Sequence, residues 1–424
     1  SDPCHSVSCT TQQVFGYGDP TTSEPNMQGF VKSYESVTST EYAPTMMDSF
    51  HSSHVPALAN LSMEYAVFDG YFASVPGPTM VNRAYAAAGT SSGMGENNWE
   101  RMLSGLEDKT MFTQLLDMGL DYKVYFQQIP MVLQHKDMRG KGRREKYRPY
   151  RSLLKDLERG DLPEFSFVEP AYYDYPLSPA TDQHPDHDVS AGDALIKELY
   201  DTLRASPLWE KTALFITYDE HGGFWDHVPP PAAPSPDGRN ATDDPFAFDR
   251  AGVRVPMVVV SPWVEKGTVV HMDEGKGAGQ YEHSSIIKTV VHEMFAPTAD
   301  GAAQDYLTKR DSWSKGMGWL FEGRQSPRTD CPSTVPDVPS HRLQFPGSLP
   351  PLDGKMKISD LQAELLQLAA AACEEGRSEA DAEWVRAPEA LGRMSEREGL
   401  AFVVRRMGEC GIDVGEELRG VTAE

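Results

Sequence analysis

The chain has 424 residues, with 63 acidic side chains against 39 basic ones and a formal net charge of −24 at pH 7. That balance excludes a broad nucleic-acid footprint and passive electrostatic adhesion to anionic membranes, both of which need clustered Lys and Arg. The length suits one large α/β domain with a small appendage, or a few ordinary domains, and no apolar stretch is long enough to span a bilayer.

In chain order, the opening Ser1-Asp2-Pro3-Cys4-His5 has no signal-peptide character and does not begin with Met, so it reads as a cut edge. From about Glu64 to Trp263, short β-rich apolar runs alternate with helical stretches. This is the rhythm of an α/β fold, a mainly parallel sheet flanked by helices. Strands are expected at Tyr65–Phe68, Tyr122–Phe126, Phe165–Glu169, Thr212–Thr217 and Arg254–Ser261. The last two are nearly continuous apolar runs and so predict burial on both faces. Helices are expected at Thr110–Met118 and at Ala191–Ser206, where Leu195, Ile196, Leu199 and Leu203 share a stripe. Pro229–Asp237 reads as a surface loop and Pro332–Pro351 as a linker.

The expected organisation is a catalytic domain over residues 1–335, a Pro-rich linker over 336–356 and a small C-terminal helical region over 357–424. In that last region Ser359 caps a helix with Gln362 at its third position, and Leu361, Leu365, Leu366 and Leu368 form its buried face, ending near Gly376. Helices over Asp381–Arg393 and Glu396–Gly411 follow. The five cysteines (Cys4, Cys9, Cys331, Cys373, Cys410) include no CxxC pair. A metal–thiolate cluster is not expected, and the odd count predicts no disulfide framework. The sequons at Asn60 and Asn240 carry little weight in a chain this long.

The segment richest in chemistry is Thr212 to Val228, where a buried strand runs into Asp219-Glu220-His221-Gly222-Gly223. Sites form beyond the carboxyl ends of strands in open α/β sheets, and two adjacent carboxylates there suit a divalent cation. The bland alternative is a capped helix start with its histidines packed in a polar loop. Earlier, Tyr71 to Arg83 carries an apolar run into Pro76-Gly77-Pro78 and then into a helix opened by Thr79. A hydroxyl at a helix N-terminus sits where free N–H groups favour a phosphate, and a metal beside it would make it a nucleophile; taken alone, such a threonine is more often an ordinary cap. His5, His184, His187 and His283 all stand in turns between elements; imidazoles there can protonate a leaving oxygen, or merely hydrogen-bond a loop. The basic run Lys136–Arg151 is a local exception in an acidic chain. It offers a peripheral membrane contact, with Tyr147 and Tyr150 as interfacial aromatics, or a solvated face.

Taken together, roughly Asp2 to Pro332 resembles the plant non-specific phospholipases C, of the phosphoesterase family related in fold to alkaline phosphatase. The landmarks are Val67 to Arg83, Thr90-Ser91-Ser92-Gly93, Gln128-Ile129-Pro130, His184-Pro185-Asp186-His187-Asp188, Thr217 to Pro229, Gly252 to Pro256, Ser261-Pro262-Trp263, Lys266 to His271, Glu282 to Ile286 and Leu307 to Asp311. The resemblance implies hydrolysis of phospholipids to diacylglycerol and a phosphorylated headgroup. Thr79 would be the nucleophile and a metal contact, Asp219 and Glu220 would ligate a divalent metal, and Asn82, His5, His184 and His283 would contact phosphate oxygens or move protons. The alternatives are a phosphomonoesterase of the same fold and a catalytically dead phosphate- or lipid-binding module. The family's opening Glu-Asn-Arg-Ser-Phe-Asp-His segment has no counterpart here, which implies a fragment lacking a strand, an unpaired sheet edge and half of a metal shell.

Overall fold

The computed structural model describes residues 3–421 except 176–177, 243–245, 274, 276–277, 297–304, 341–354 and 372–393. Nine strands are present among them: β1 (Ala66–Phe68), β2 (Tyr71–Phe72), β3 (Tyr122–Phe126), β4 (Tyr147–Pro149), β5 (Phe165–Glu169), β6 (Leu214–Thr217), β7 (Met257–Val260), β8 (Thr268–Val270) and β9 (Tyr281–Glu282). The helices that position the site are α1 (Val7–Phe15), α2 (Pro56–Glu64), α3 (Thr79–Ala88), α4 (Met111–Asp117), α5 (Tyr150–Arg159), α6 (Val189–Ala205), α7 (Asp360–Ala371) and α8 (Glu396–Glu409). All five expected strands form, three of them shortened at their ends. The capping pair at Ser359 is present too: Ser359 N–H donates to Gln362 Oε1 at 2.9 Å, and Gln362 N–H to Ser359 Oγ at 3.3 Å. The expected helix over Asp381–Arg393 and most of the linker lie outside the described residues.

The strands make three sheets, in the orders β6-β7-β1-β8, β4-β3-β5 and β2-β9. The β4-β3-β5 and β2-β9 sheets are parallel, as expected. The four-stranded sheet is mixed, because β7 runs antiparallel to both β1 and β6. The connection from β6 to β7 carries the Asp219 segment and has no helix among its described residues, in place of the helical crossover that parallel neighbours usually use. A second expectation also fails: β7 is buried throughout, but every residue of β6 is only partly buried. The reason is position, since β6 is an edge strand, as is β5, whose residues are mostly half-buried too.

Val168 of β5 and Leu214 and Ile216 of β6 nevertheless pack on one apolar cluster, built around Tyr65, Leu157, Leu203 and Val258 and lying beneath α5 and α6. The C-terminal helices do not stand apart: Leu365, Leu366 and Leu400 share a core with Val81, Val124 and Tyr172. At the N-terminus the cysteine count misled. Cys4 and Cys9 are disulfide-bonded, with Cα atoms 5.9 Å apart, so an odd total does not preclude a local cross-link.

One buried histidine ties this fold to pH. His135 is fully buried with neither ring nitrogen hydrogen-bonded, and burial pushes it from the ordinary 6.5 down to about 4, against Asp137 and Asp108 and with Arg139. The folded state thus binds a proton less readily than the unfolded chain. Its contribution to stability is full above pH 6.5 and falls away as the pH drops towards 4, by on the order of 3 kcal/mol in total. His135→Met is expected to remove that slope. Urea titrations of both proteins between pH 7 and pH 4 check it, and parallel pH profiles would refute it.

Candidate active site

Strand β6 ends at Thr217, and the chain then turns through Asp219 and Glu220 into Gly222 and Gly223, whose φ angles of +62° and +75° lie in the left-handed region. A Cβ on Gly223 would sit 2.6 Å from Pro3 Cβ, so glycine is what lets the N-terminal segment close against this turn. Glu220 Oε2 accepts from Gly222 N–H at 2.7 Å and lies 3.5 Å from His221 Nδ1. His221 Nε2 meets Gln13 Oε1 of α1 at 2.8 Å, and burial, reinforced by the nearby His5, pushes this imidazole down to about 3.

Arg83 is the hinge of the arrangement. It lies one helical turn after Thr79 on α3, and residues four apart share a helix face. Its Nε donates to Asp219 Oδ2 at 3.1 Å and its Nη1 to Glu169 Oε2 at 2.7 Å. The guanidinium thus joins the carboxyl end of β5 to the second residue after β6, across the two edge strands. Glu169 is fully buried and also accepts from Tyr172 Oη at 2.6 Å and Met131 N–H at 3.1 Å; burial raises its carboxyl, while Arg83 pulls it back. His283 is buried, which lowers its pKa; its Nε2–H donates to the Asp219 carbonyl oxygen at 2.6 Å, and its Nδ1 lies 3.5 Å from Tyr71 Oη.

Of the residues expected from sequence, Asp219, Glu220 and His283 therefore lie together, and Thr79 stands one turn from the Arg83–Asp219 contact, 4% exposed at the first position of its helix. Asn82 is occupied elsewhere: its Oδ1 accepts from Val75 N–H, and its Nδ2 donates to the carbonyls of Val75 and Gly77 at 3.2 and 2.7 Å, which braces the turn before Thr79. His5 bonds the Pro3 carbonyl through Nδ1 at 2.8 Å and senses both His221 and Glu364. His184 pairs with Asp186, and His187 with Asp182 at 2.7 Å. Burial alone would strip His187 of its proton, but Asp182 and Glu396 hold it up at about 10.

The basic run of 136–151 is largely engaged within the fold: Lys136 pairs with Glu107, Arg139 donates to the Leu133 and Leu103 carbonyls, Lys146 pairs with Asp121, and Arg151 with Glu198 and Glu417.

Three contributors went unrecognised in the sequence. Glu169 had a readable signal, an acid at the carboxyl end of an expected strand. Arg83 had its spacing of four from Thr79. Glu364 sits on the apolar stripe of α7 between Leu361 and Leu365, an unusual place for a carboxyl. Its Oε2 accepts from Asn97 Nδ2 at 2.6 Å, Asn97 Oδ1 accepts from Met80 N–H at 3.0 Å, and burial pushes the acid up to about 8. The C-terminal region thereby reaches the first turn of α3.

Asp219 and Glu220 carry carboxylate oxygens of the kind a hard divalent cation takes, and three carboxylates, counting Glu169, against the Arg83 guanidinium leave two formal negative charges that such an ion would offset. A different, nitrogen-containing group also converges: single ligand atoms of His184, Asp186 and His187 lie within 4.8 Å of one another.

Residues 1–295 match the Phosphoesterase family. Among curated proteins, non-specific phospholipase C1 of Arabidopsis thaliana is 43% identical over 375 residues, spanning 87% of this chain and 68% of that protein. Non-specific phospholipase C6 of the same plant is 41% identical, over 87% of this chain and 69% of its own length. Phospholipase C B of Mycobacterium tuberculosis is 26% identical, over 72% of this chain and 67% of its own length.

Proposed function

Because this chain belongs to the phosphoesterase family, we propose that it cleaves the glycerol-side phosphodiester of phospholipids, releasing diacylglycerol and a phosphorylated headgroup, with Thr79 as the attacking oxygen. The observation that carries this reading is Arg83, which draws the Thr79 face of α3 onto the acids at the ends of β5 and β6.

The chemistry follows from that placement. A phosphodiester anion is drawn to the first turn of α3 by its free N–H groups and dipole, next to the Thr79 hydroxyl. Asn82 bonds the chain from Val75 to Gly77, so the turn ahead of the nucleophile cannot recoil on attack. Burial disfavours the imidazolium of His283, whose Nε2–H donates to the Asp219 carbonyl, so the nitrogen that can receive or return a proton is Nδ1, facing Tyr71. A divalent cation on Asp219, Glu220 and Thr79 would supply charge neutralisation and acidify the hydroxyl. His5 and His184 stand as further phosphate or proton contacts in the flanking loops. With so much of Lys136–Arg151 engaged internally, any membrane contact there falls to its exposed remainder, such as Arg148.

The test is product analysis. Phosphatidylcholine vesicles incubated with the purified chain and divalent metal are expected to yield diacylglycerol and phosphocholine in equal amounts. Turnover confined to phosphate monoesters would point instead to a phosphatase of the same fold, and headgroup binding without turnover to a catalytically silent module.

A further inference from the structure

We propose that the Cys4–Cys9 disulfide is a thiol-sensitive clamp on the active site: closed, it holds His5 between the Thr79 turn and the Asp219 turn, and cleavage by a dithiol reductant releases it. Its bearing on catalysis rests on the assignment of those two turns to the site. The bond joins cysteines five positions apart, closing a small ring that contains His5 and the first residues of α1. On one side of that ring Val7 is 2% exposed, and its Cγ2 lies 3.4 Å from where a Cβ on Gly77 would stand, in the turn that leads to Thr79. On the other side, a Cβ on Gly223 would stand 3.2 Å from the Cys4 carbonyl oxygen. Gln13 ties this side down: its Nε2 donates to the Cys4 carbonyl at 2.8 Å, and its Oε1 meets His221 Nε2 at 2.8 Å. The ring therefore bridges the two halves of the site, and His5 sits close enough to influence both His221 and Glu364.

What the bond holds is local. Ser6 Oγ accepts from Cys9 N–H at 3.2 Å, and Val7 N–H donates to Glu96 Oε1 at 3.0 Å, so α1 stays capped and anchored without the disulfide. The segment Pro3–His5, by contrast, loses its covalent tie to that helix. A short ring also constrains the unfolded chain less than a long one, so global stability depends little on the bond. Both cysteines are half-buried, within reach of a small dithiol. Cys9 is the third residue of α1, where the dipole and free N–H groups favour a thiolate, which makes it the better leaving group. A thiolate of the reductant attacks Cys4 Sγ, the Cys4–Cys9 bond breaks, and Cys9 departs as a thiolate that takes up a proton. The reductant's second thiol gives up its proton and attacks the mixed disulfide, releasing Cys4. Two electrons and two protons pass to the cysteines, and the reductant ends as a cyclic disulfide.

The experiment compares the whole purified chain before and after dithiothreitol, with the reagent removed under nitrogen and alkylation followed by mass analysis confirming thiols at Cys4 and Cys9. Reduction is expected to lower kcat on phosphatidylcholine by about tenfold or more, with KM within about twofold, and oxidised dithiothreitol to restore it. The double variant Cys4→Ser/Cys9→Ser is expected to start at the reduced rate and to ignore both reagents, which separates this bond from every other thiol in the chain. The His5 ring-proton resonance, assigned by its loss in His5→Gln, is expected to shift when wild type is reduced and to stand at the reduced position in the double variant. Reduction of wild type needs no substitution, so the clamp is tested even where the double variant fails to fold. A serine pair as fast as oxidised wild type would overturn the proposal, as would a His5 resonance unmoved by reduction of Cys4 and Cys9. Should the oxidised chain leave phosphatidylcholine intact, the catalytic reading falls, and the His5 resonance alone decides the clamp.

Discussion

Thr79→Ala is expected to lower kcat for phosphatidylcholine hydrolysis by at least about a thousandfold while leaving the folded protein as stable as before. The two halves of that statement rest on different observations. Stability is spared because the cap of α3 is Pro78, with no side-chain hydrogen bond, so the hydroxyl is not what starts the helix. Removing one oxygen from a residue that makes no cap leaves the braces supplied by Asn82 and by Asn97 intact. Activity is lost because no other hydroxyl occupies the first position of that helix. Thr79→Ser keeps the oxygen and is expected to remain within about tenfold of wild type. Acid quenching during turnover of a phosphorus-labelled lipid should trap label on the wild-type chain and none on Thr79→Ala. Full activity in the alanine variant would end the nucleophile assignment, whatever the lipid products are.

The sequence exposed local features more faithfully than spatial ones. Strand β6 was foreseen from an apolar run, yet its edge position was not, because burial of a strand depends on what lies beside it and nothing in Leu214–Thr217 encodes its neighbour. The antiparallel entry of β7 is illegible for a related reason: an alternating pattern of strands and helices suggests crossovers, and the direction of a return without a helix among its described residues shows only once β7 is paired. In the site, Asp219, Glu220 and His283 were legible because acids and imidazoles just past strand ends are chemically conspicuous. Arg83 was not, since a lone arginine on a helix is ordinarily a solvated one. Only the tertiary fold reveals that it lies between two carboxylates. The Cys4–Cys9 link is invisible to the parity of the cysteine total, because a ring this small closes between two cysteines five residues apart whatever the others do.

Arg83→Met carries the largest expected effect on the fold, a loss of about 3–5 kcal/mol in unfolding free energy. The guanidinium pairs at 2.7 Å with Glu169, which has no exposed side-chain surface, and at 3.1 Å with Asp219, and its carbon lies 5.7 Å from the centre of the Tyr172 ring. Methionine fills much of the space but leaves the Glu169 carboxylate buried with only Tyr172 Oη and Met131 N–H for partners. A buried charge stripped of its counter-ion costs far more than the intact pair contributes, so most of the loss should belong to Glu169. Glu169→Gln in the same chain is then expected to return a large part of it, a coupling that urea titrations of the two single variants and the double variant measure directly. Salt should change little, because the Glu169 contact is shielded from solvent, whereas a surface pair would weaken. An Arg83→Met penalty below about 1 kcal/mol would place this guanidinium among surface ion pairs. It would also remove the energetic basis for Arg83 as a link between β5, β6 and the helix that carries Thr79.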